Sequence, residues 1–329
     1  RCPCSGRGGA ARRRGSGDPG PAGGRACVAT GTRPATGGLV GIDDTGAPVE
    51  CCVGFIGIGD TDQQPHNISL VGQSWARMLR RTMSKVTEPA GEMRALAQKV
   101  VFVTGASSGI GRAIALASAR NGADLAISYR RNQQGVEAVA DEIRRLGRRV
   151  EITVLDLAEP DAIAGLPGLL RQRFGRCDAW INSAGSDILT GEGARLSRNE
   201  KLDRLLAVDL RGTMLASWAA VELMRSQPAG GVIINMSWDH VIRGMEGENP
   251  SLFSAAKGGV LSFSKSLARS VAPPDRVNIL VPGWIETAYG VGADAGLLQK
   301  VTVPIPLARW GTPEDVTAAA AVLPTAAAR

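Results

Sequence analysis

The sequence is poor in the side chains that most often do chemistry. Its 329 residues include two tyrosines and two histidines, and aromatic residues make up 4% of the chain. No apolar run approaches the roughly 18 residues that a membrane-spanning helix requires, so a transmembrane protein is excluded. Cysteine is nearly absent after residue 52. Cys2, Cys4, Cys27, Cys51 and Cys52 crowd the start, Cys177 alone follows, and the body of the chain therefore has no disulfide framework. Those cysteines show no CxxC spacing and His66 and His240 are the whole histidine supply, so no metal site is expected. Net positive charge is also nearly missing from the body. Residues 1–40 hold seven Arg against one Asp, six of the seven units of net charge, and the remainder is almost neutral. A nucleic-acid footprint needs a local basic cluster, and the body offers none.

Residues 1–40 contain eleven Gly and four Pro, with runs such as RGGAARRRGSG. Such a composition buries too little apolar surface to offset chain entropy, and disorder is expected. The run CCVGFIGIG at 51–59 is too short for a membrane span and too far in for a signal sequence. Met83 opens a segment, MSKVTEPAGEMRALAQK, that leads straight into a strand, which reads as the natural start. An Arg-rich transit peptide is the alternative, opposed by Asp18, Asp43, Asp44 and Glu50. The expected organisation is therefore a Gly/Arg-rich segment over 1–82, disordered or not native, and a single domain over 83–329.

From residue 99 short β-branched runs alternate with helical stretches, the pattern of βαβ units and a parallel sheet. The strands are expected at Lys99–Thr104, Asp124–Ser128, Val150–Leu155, Asp178–Ile181, Val232–Met236 and Val277–Val281. Val136, Val139, Ile143 and Leu146 recur at helical spacing before Gly147, which marks an amphipathic helix and its C-cap. The fold class is α/β, a doubly wound, Rossmann-like sheet with ligands at its carboxyl edge.

The first of these strands runs into Thr104-Gly105-Ala106-Ser107-Ser108-Gly109-Ile110-Gly111-Arg112 and then a helix. Glycines there let the backbone turn tightly and approach a pyrophosphate, whose charge meets the N–H groups and dipole of the helix start. The spacing TGxxxGxG resembles the short-chain dehydrogenase/reductase family. Further segments match that family in order. Asp156, with Leu157 after it, stands where the family's acid contacts the adenine ring; Asn182-Ser183-Ala184-Gly185 is similar to its NNAG segment. Lys257 lies in the helix after the fifth strand, Pro282-Gly283-Trp284-Ile285-Glu286-Thr287 resembles the PGxxxT loop over the nicotinamide, and Arg309–Val316 is similar to RxGxPxDV. The resemblance spans about 97–323 and implies a cytoplasmic enzyme acting on a small carbonyl or alcohol substrate, without a membrane, as a homo-oligomeric dimer or tetramer. It implies cofactor contacts from Thr104, Gly105, Ser107, Ser108, Gly109, Ile110, Gly111, Asp156, Leu157, Asn182, Ala184, Gly185, Lys257, Pro282, Gly283, Ile285 and Thr287. Cofactor choice rests on charge. The second strand ends Ser128-Tyr129-Arg130-Arg131 with no acid for ribose hydroxyls, and the forked donors of Arg130 or Arg131 suit a 2′-phosphate, so NADP(H) is expected over NAD(H).

The chemistry departs from the family, whose members use a Tyr four residues before the Lys, a Ser and an Asn. Four before Lys257 stands Phe253, which cannot donate a proton, and neither Tyr129 nor Tyr289 can occupy that place. The Ser segment reads Asn235-Met236-Ser237-Trp238, offering Ser237 one place early and Trp238 where Ser is expected. The Asn place holds Asp209. Candidate catalytic residues are therefore Lys257, Ser237, His240 and Asp209, with Phe253 at the Tyr position. The imidazole of His240 suits proton transfer near neutrality, and Asp209 is placed to orient Lys257 or a water. Two readings stay open: an NADP(H)-dependent oxidoreductase similar to 3-oxoacyl-carrier-protein reductases, or a catalytically impaired dinucleotide-binding protein acting as sensor or partner subunit. Finally, AAAAVLPTAAAR stands where the family has its last strand, so an exposed edge is expected beside the sixth strand.

Overall fold

The computed structural model describes residues 38–42, 48–56, 94–287, 299, 301–303, 305 and 307–325. Six parallel strands form its centre: β3 (Val100–Thr104), β4 (Asp124–Tyr129), β5 (Val150–Val154), β6 (Ala179–Asn182), β7 (Val232–Met236) and β8 (Arg276–Pro282). They lie in the order β5-β4-β3-β6-β7-β8. Each falls within one residue of the strand expected from the sequence, because β-branched runs covered on both faces leave few other options. Every residue of β3 is buried.

Alternation along β3 splits the core into two layers. Val101 and Val103 face one layer with Ile114, Val136, Val139, Ile143 and Val316. Those partners come from helices α1 (Gly109–Arg120), α2 (Gln133–Arg145) and, at the far end of the chain, Pro313–Val322. Phe102 faces the other layer, edge-on to Trp180 with ring centroids 4.6 Å apart, among Leu170, Leu223 and Leu267. That layer is built from Leu166–Phe174 (α3), Thr213–Arg225 (α4) and Glu248–Val271 (α5). The chain leaves β3 toward β4 on one side and returns to β6 on the other, so the carboxyl ends of β3 and β6 border the crevice where such sheets take ligands. Gly147, with φ +72°, terminates α2 in the left-handed conformation that its residue type allows.

The margin beside β8 differs from expectation. Among the described residues no strand follows Pro313–Val322, yet the edge of β8 is covered. Strand β2 (Pro48–Ile56) pairs antiparallel with it, Val53 opposite Pro282 and Ile56 opposite Ile279, and β1 (Gly38–Ile42) pairs antiparallel with β2. Both strands belong to the segment 1–82, whose remainder lies outside the described residues, as does residue 83. Average composition concealed them: PVECCVGFI is a strand-forming run inside Gly/Arg-rich surroundings. Deleting residues 1–57 should leave the six parallel strands folded while uncovering a strand edge. A lower Tm in thermal unfolding and self-association by light scattering are expected, and an unchanged Tm in a monodisperse sample would show that β2 contributes nothing.

Candidate functional site

The site assembles at the carboxyl edge of the sheet, beginning with a backbone cradle. Gly105 and Gly109 have φ of +69° and +54°, which side chains disfavour. A Cβ on Gly105 would lie 2.7 Å from the Cα of Ala184, and one on Gly111 would lie 2.3 Å from the Gly105 carbonyl oxygen. Thr104 completes the junction: its hydroxyl accepts hydrogen bonds of 3.0 Å from the amides of Ser183 and Ala184. The loops after β3 and β6 are thus held together backbone to backbone. Helix α1 starts at Gly109 with no side-chain cap from Ser108, which leaves its first N–H groups for an anion. Ser107 and Ser108 line the turn, and Ile110 packs back on the core. The segment after β8 comes over this loop, since a Cβ on Gly109 would lie 3.4 Å from the Thr287 methyl. Ile285 forms a parallel β-bridge with Gly311, and Glu286 donates its amide to the Gly311 carbonyl at 2.7 Å, fixing the path of Pro282–Thr287.

At the end of β4 Arg130 stands 3.7 Å from the Asp156 carboxylate, each about a third exposed. Arg131 lies further out, paired with Glu192 at 3.0 Å. Asn132, which the sequence reading passed over, caps α2 by accepting from the Gly135 amide and donates to the Ser107 carbonyl, joining the Arg130 turn to the glycine loop. An Asn just before a helical run was the available signal. Leu157 is buried in the second core layer.

Two expected contacts need correction. Asn182 does not face the crevice: at 1% exposure its side chain accepts from the Trp180 indole and donates to Ser217 and Asn235. Asn235 in turn donates to Ser264 at 2.8 Å. This buried network braces β6 and β7 against α4 and α5, and no spacing in the sequence reveals it. Ser237 likewise offers no free hydroxyl, because it is buried and donates to the Lys257 carbonyl at 2.9 Å.

The reacting half is built on an unusual turn. Residues Leu205–Gly212 form a π-helical stretch between Arg198–Arg204 and α4, and it turns the fully buried Asp209 inward. One carboxylate oxygen of Asp209 lies 3.1 Å from Lys257 Nζ, an ion pair without hydrogen-bond alignment, and the other accepts the Ser186 amide at 2.8 Å. Gly185 makes room, since a Cβ there would lie 2.9 Å from the same carboxylate. One helical turn before Lys257, the Phe253 ring has its centroid 5.4 Å from Nζ. Trp238 meets Phe253 edge-on at 5.3 Å, stacks on His240 at 4.6 Å and meets Trp284 edge-on at 6.2 Å. Trp284 continues the row to Trp310 at 5.1 Å. The Nδ1 of His240 is hydrogen-bonded to the Asp239 carboxylate. The structure therefore brings together Lys257, Asp209, Phe253 and, across Trp238, His240. Cys177 is fully buried at the amino end of β6, its thiol pushed up to about 12 by desolvation and the neighbouring Asp178, and it takes no part.

The family model for enoyl-(acyl carrier protein) reductase matches residues 105–329. The chain belongs to the short-chain dehydrogenase/reductase family. An uncharacterized oxidoreductase of Mycobacterium tuberculosis is 34% identical over 235 residues, 70% of this chain and 87% of that protein. A 3-oxoacyl-[acyl-carrier-protein] reductase of Synechocystis is 34% identical over 68% of this chain and 88% of its own length. A short-chain dehydrogenase of Burkholderia cenocepacia, solved in complex with NADP, superposes with a TM-score of 0.62 at 31% identity, covering 70% of this chain and 92% of that one. This dehydrogenase/reductase thus keeps the family's backbone cradle while changing the side chains of the reacting half.

Lys257→Met should leave the fully buried Asp209 carboxylate without its cation. A loss of about 3–5 kcal/mol in denaturant unfolding is expected, with most of it recovered in the Lys257→Met, Asp209→Asn double variant. Additive losses would show that the two side chains do not interact.

Proposed function

We propose that this protein is an NADP(H)-dependent oxidoreductase that interconverts a small carbonyl compound and its alcohol. One observation carries the reading: a glycine cradle closed on Ala184, with Arg130 at the end of β4 where NAD-preferring sites place an acid. The residues present fit the dinucleotide. Gly105, Ser107, Ser108, Gly109 and Gly111 would hold its pyrophosphate through backbone groups and the start of α1. Asp156 would hold the adenine, Arg130 or Arg131 the 2′-phosphate, and Lys257 the nicotinamide ribose. Ala184, Gly185, Pro282, Gly283, Ile285 and Thr287 would wall the nicotinamide. Bound NADPH supplies the hydride. The chain's own part is to orient the carbonyl, exclude water with the rings of Trp238, Phe253 and Trp284, and keep Lys257 in place through Asp209.

The relatives support this reading: the Burkholderia cenocepacia structure holds NADP, and one relative, from Sphingomonas, is named an L-rhamnose 1-dehydrogenase (NAD(P)(+)). Assembly as a dimer or tetramer is part of the proposal, supported by Trp218 on α4, which is 49% exposed and edge-on to Phe263 of α5 at 5.7 Å. So is a cytoplasmic location; among the described residues no helix is long and apolar enough to cross a membrane. A second reading, a catalytically silent dinucleotide-binding protein, is favoured by Phe253 at the Tyr place and by Trp238 packed against it.

Arg130→Ala should weaken NADPH by about 1.5–3 kcal/mol and NADH hardly at all, measured by nucleotide fluorescence titration. Equal weakening of both cofactors would refute the 2′-phosphate contact. The two readings part on Phe253→Tyr combined with Trp238→Ser. If the wild type already reduces ketones with NADPH, the double variant should gain little. A silent wild type that the double variant awakens would establish the second reading.

A further inference from the structure

We propose that His240, oriented by Asp239, is the group that exchanges a proton with the substrate oxygen, taking over from the residue lost at position 253; this rests on the oxidoreductase reading above. The other catalytic candidates named from the sequence are engaged elsewhere or lack a proton. The Ser237 hydroxyl is committed to the Lys257 carbonyl, Lys257 is paired with Asp209, and Phe253 has no proton to give. Tyr129, the last residue of β4, packs on the core, and Tyr289 lies outside the described residues. His240 is different. Its Nδ1 is bonded to the Asp239 carboxylate, which fixes the ring's orientation and tautomer, and among the described residues its Nε2 has no hydrogen-bond partner. The ring is held on both sides, stacked on the Trp238 indole at 4.6 Å with 24° between planes, and edge-on to Trp284 at 6.1 Å. Trp284 belongs to the Pro282–Thr287 segment that crosses the glycine loop, and Trp238 reaches Phe253 and through it Lys257. His240 thus stands on the same wall as Phe253, one indole further from Lys257. A partly exposed imidazole anchored at one nitrogen and open at the other matches what proton transfer asks for, namely a fixed donor with a solvent path for recharging.

In the reductive direction His240, as imidazolium, gives its Nε2 proton to the carbonyl oxygen while the carbonyl carbon accepts hydride from NADPH. The N–H bond breaks, the π pair of the C=O bond becomes the new O–H bond, and NADP+ and the alcohol result. The ring, left neutral, takes a proton from solvent. Oxidation runs the same steps backward, with Nε2 accepting the hydroxyl proton. Asp239 acts through the ring and is a positioning residue, its second oxygen 3.8 Å from Arg243.

The test uses the full chain with acetophenone, cyclohexanone, ethyl acetoacetate and 4-nitrobenzaldehyde as substrates. His240→Ala should lower kcat for the fastest of them by about 10²–10⁴-fold, leave NADPH affinity by fluorescence unchanged, and regain activity with added imidazole. An independent readout needs no turnover. Carbethoxylation of His240 by diethyl pyrocarbonate, followed by peptide mass spectrometry, should be suppressed by NADP+ together with that ketone or aldehyde and not by NADP+ alone. Turnover that His240→Ala leaves essentially unchanged, loss of NADPH binding in parallel with activity, or unprotected carbethoxylation would each overturn the assignment while the oxidoreductase reading stands. A wild type that reduces no member of the panel would overturn both.

Discussion

A carboxylate removed from water must meet a cation or several N–H groups, and the reacting half of this protein is arranged around one such demand. Asp209 has no exposure, and it is met by Lys257 of α5 on one side and by the Ser186 amide on the other. That single group therefore ties the loop after β6 to the helix before α4 and to α5. The π-helical turn that carries it has a local logic. One extra residue per turn rotates Asp209 out of the helical face it would otherwise share, and Gly212 at its end fits against Leu157, where a Cβ would lie 2.7 Å from that side chain. An amide at this place, as the family uses, would leave the Lys257 charge without a counter-ion. The carboxylate instead holds the ammonium on a fixed line and removes net charge from the floor of the crevice.

The replacements at 238 and 253 are one packing event. A hydroxyl-bearing ring at 253 requires a small polar neighbour that admits substrate oxygen or water. A phenyl ring there favours an apolar neighbour, and the Trp238 indole supplies it edge-on at 5.3 Å. Once present, the indole offers its face to His240 and its edge to Trp284, so the row of rings extends from Lys257 to Trp310. In the proposed reaction such a wall would keep water from the reacting carbon and strengthen the electrostatic interactions behind it, the Lys257–Asp209 pair above all.

What could be read from the sequence divides along a physical line. The six parallel strands, the glycine cradle and the capped helix over 133–145 were legible because each is set by local pattern: β-branched runs, glycines at forced turns, apolar residues at helical spacing. The absence of Tyr at 253 was legible by counting. The ion pair of Asp209 with Lys257 joins residues 48 apart and was expected only because the family resemblance set both at one site, whereas the Asn182–Asn235–Ser264 brace spans even more chain and had no such guide. Nothing in the neighbourhood of any one residue announces such partners. For the same reason Asn182 and Ser237 were read as facing ligand when their hydrogen bonds run into the protein. Strand β2 escaped notice because its apolar run sits within a segment whose average composition argues against structure.

The division between the two halves of the site follows from how each is specified. The cradle is made of backbone: φ at Gly105 and Gly109, the close approach of Gly105 to Ala184, the free amides that open α1. Almost any side-chain change there either clashes or leaves the geometry untouched, so the cradle persists intact or is destroyed. The reacting half is made of side chains on three separate elements, at 209, 237–240 and 253–257, whose backbone is held independently by the buried amide network beneath. With the scaffold secured elsewhere, those side chains are free to change together, and the His240 and Phe253 rings meet the same Trp238 indole. Loss of the phenol at position 253 therefore removes a group without removing the geometry that made it useful.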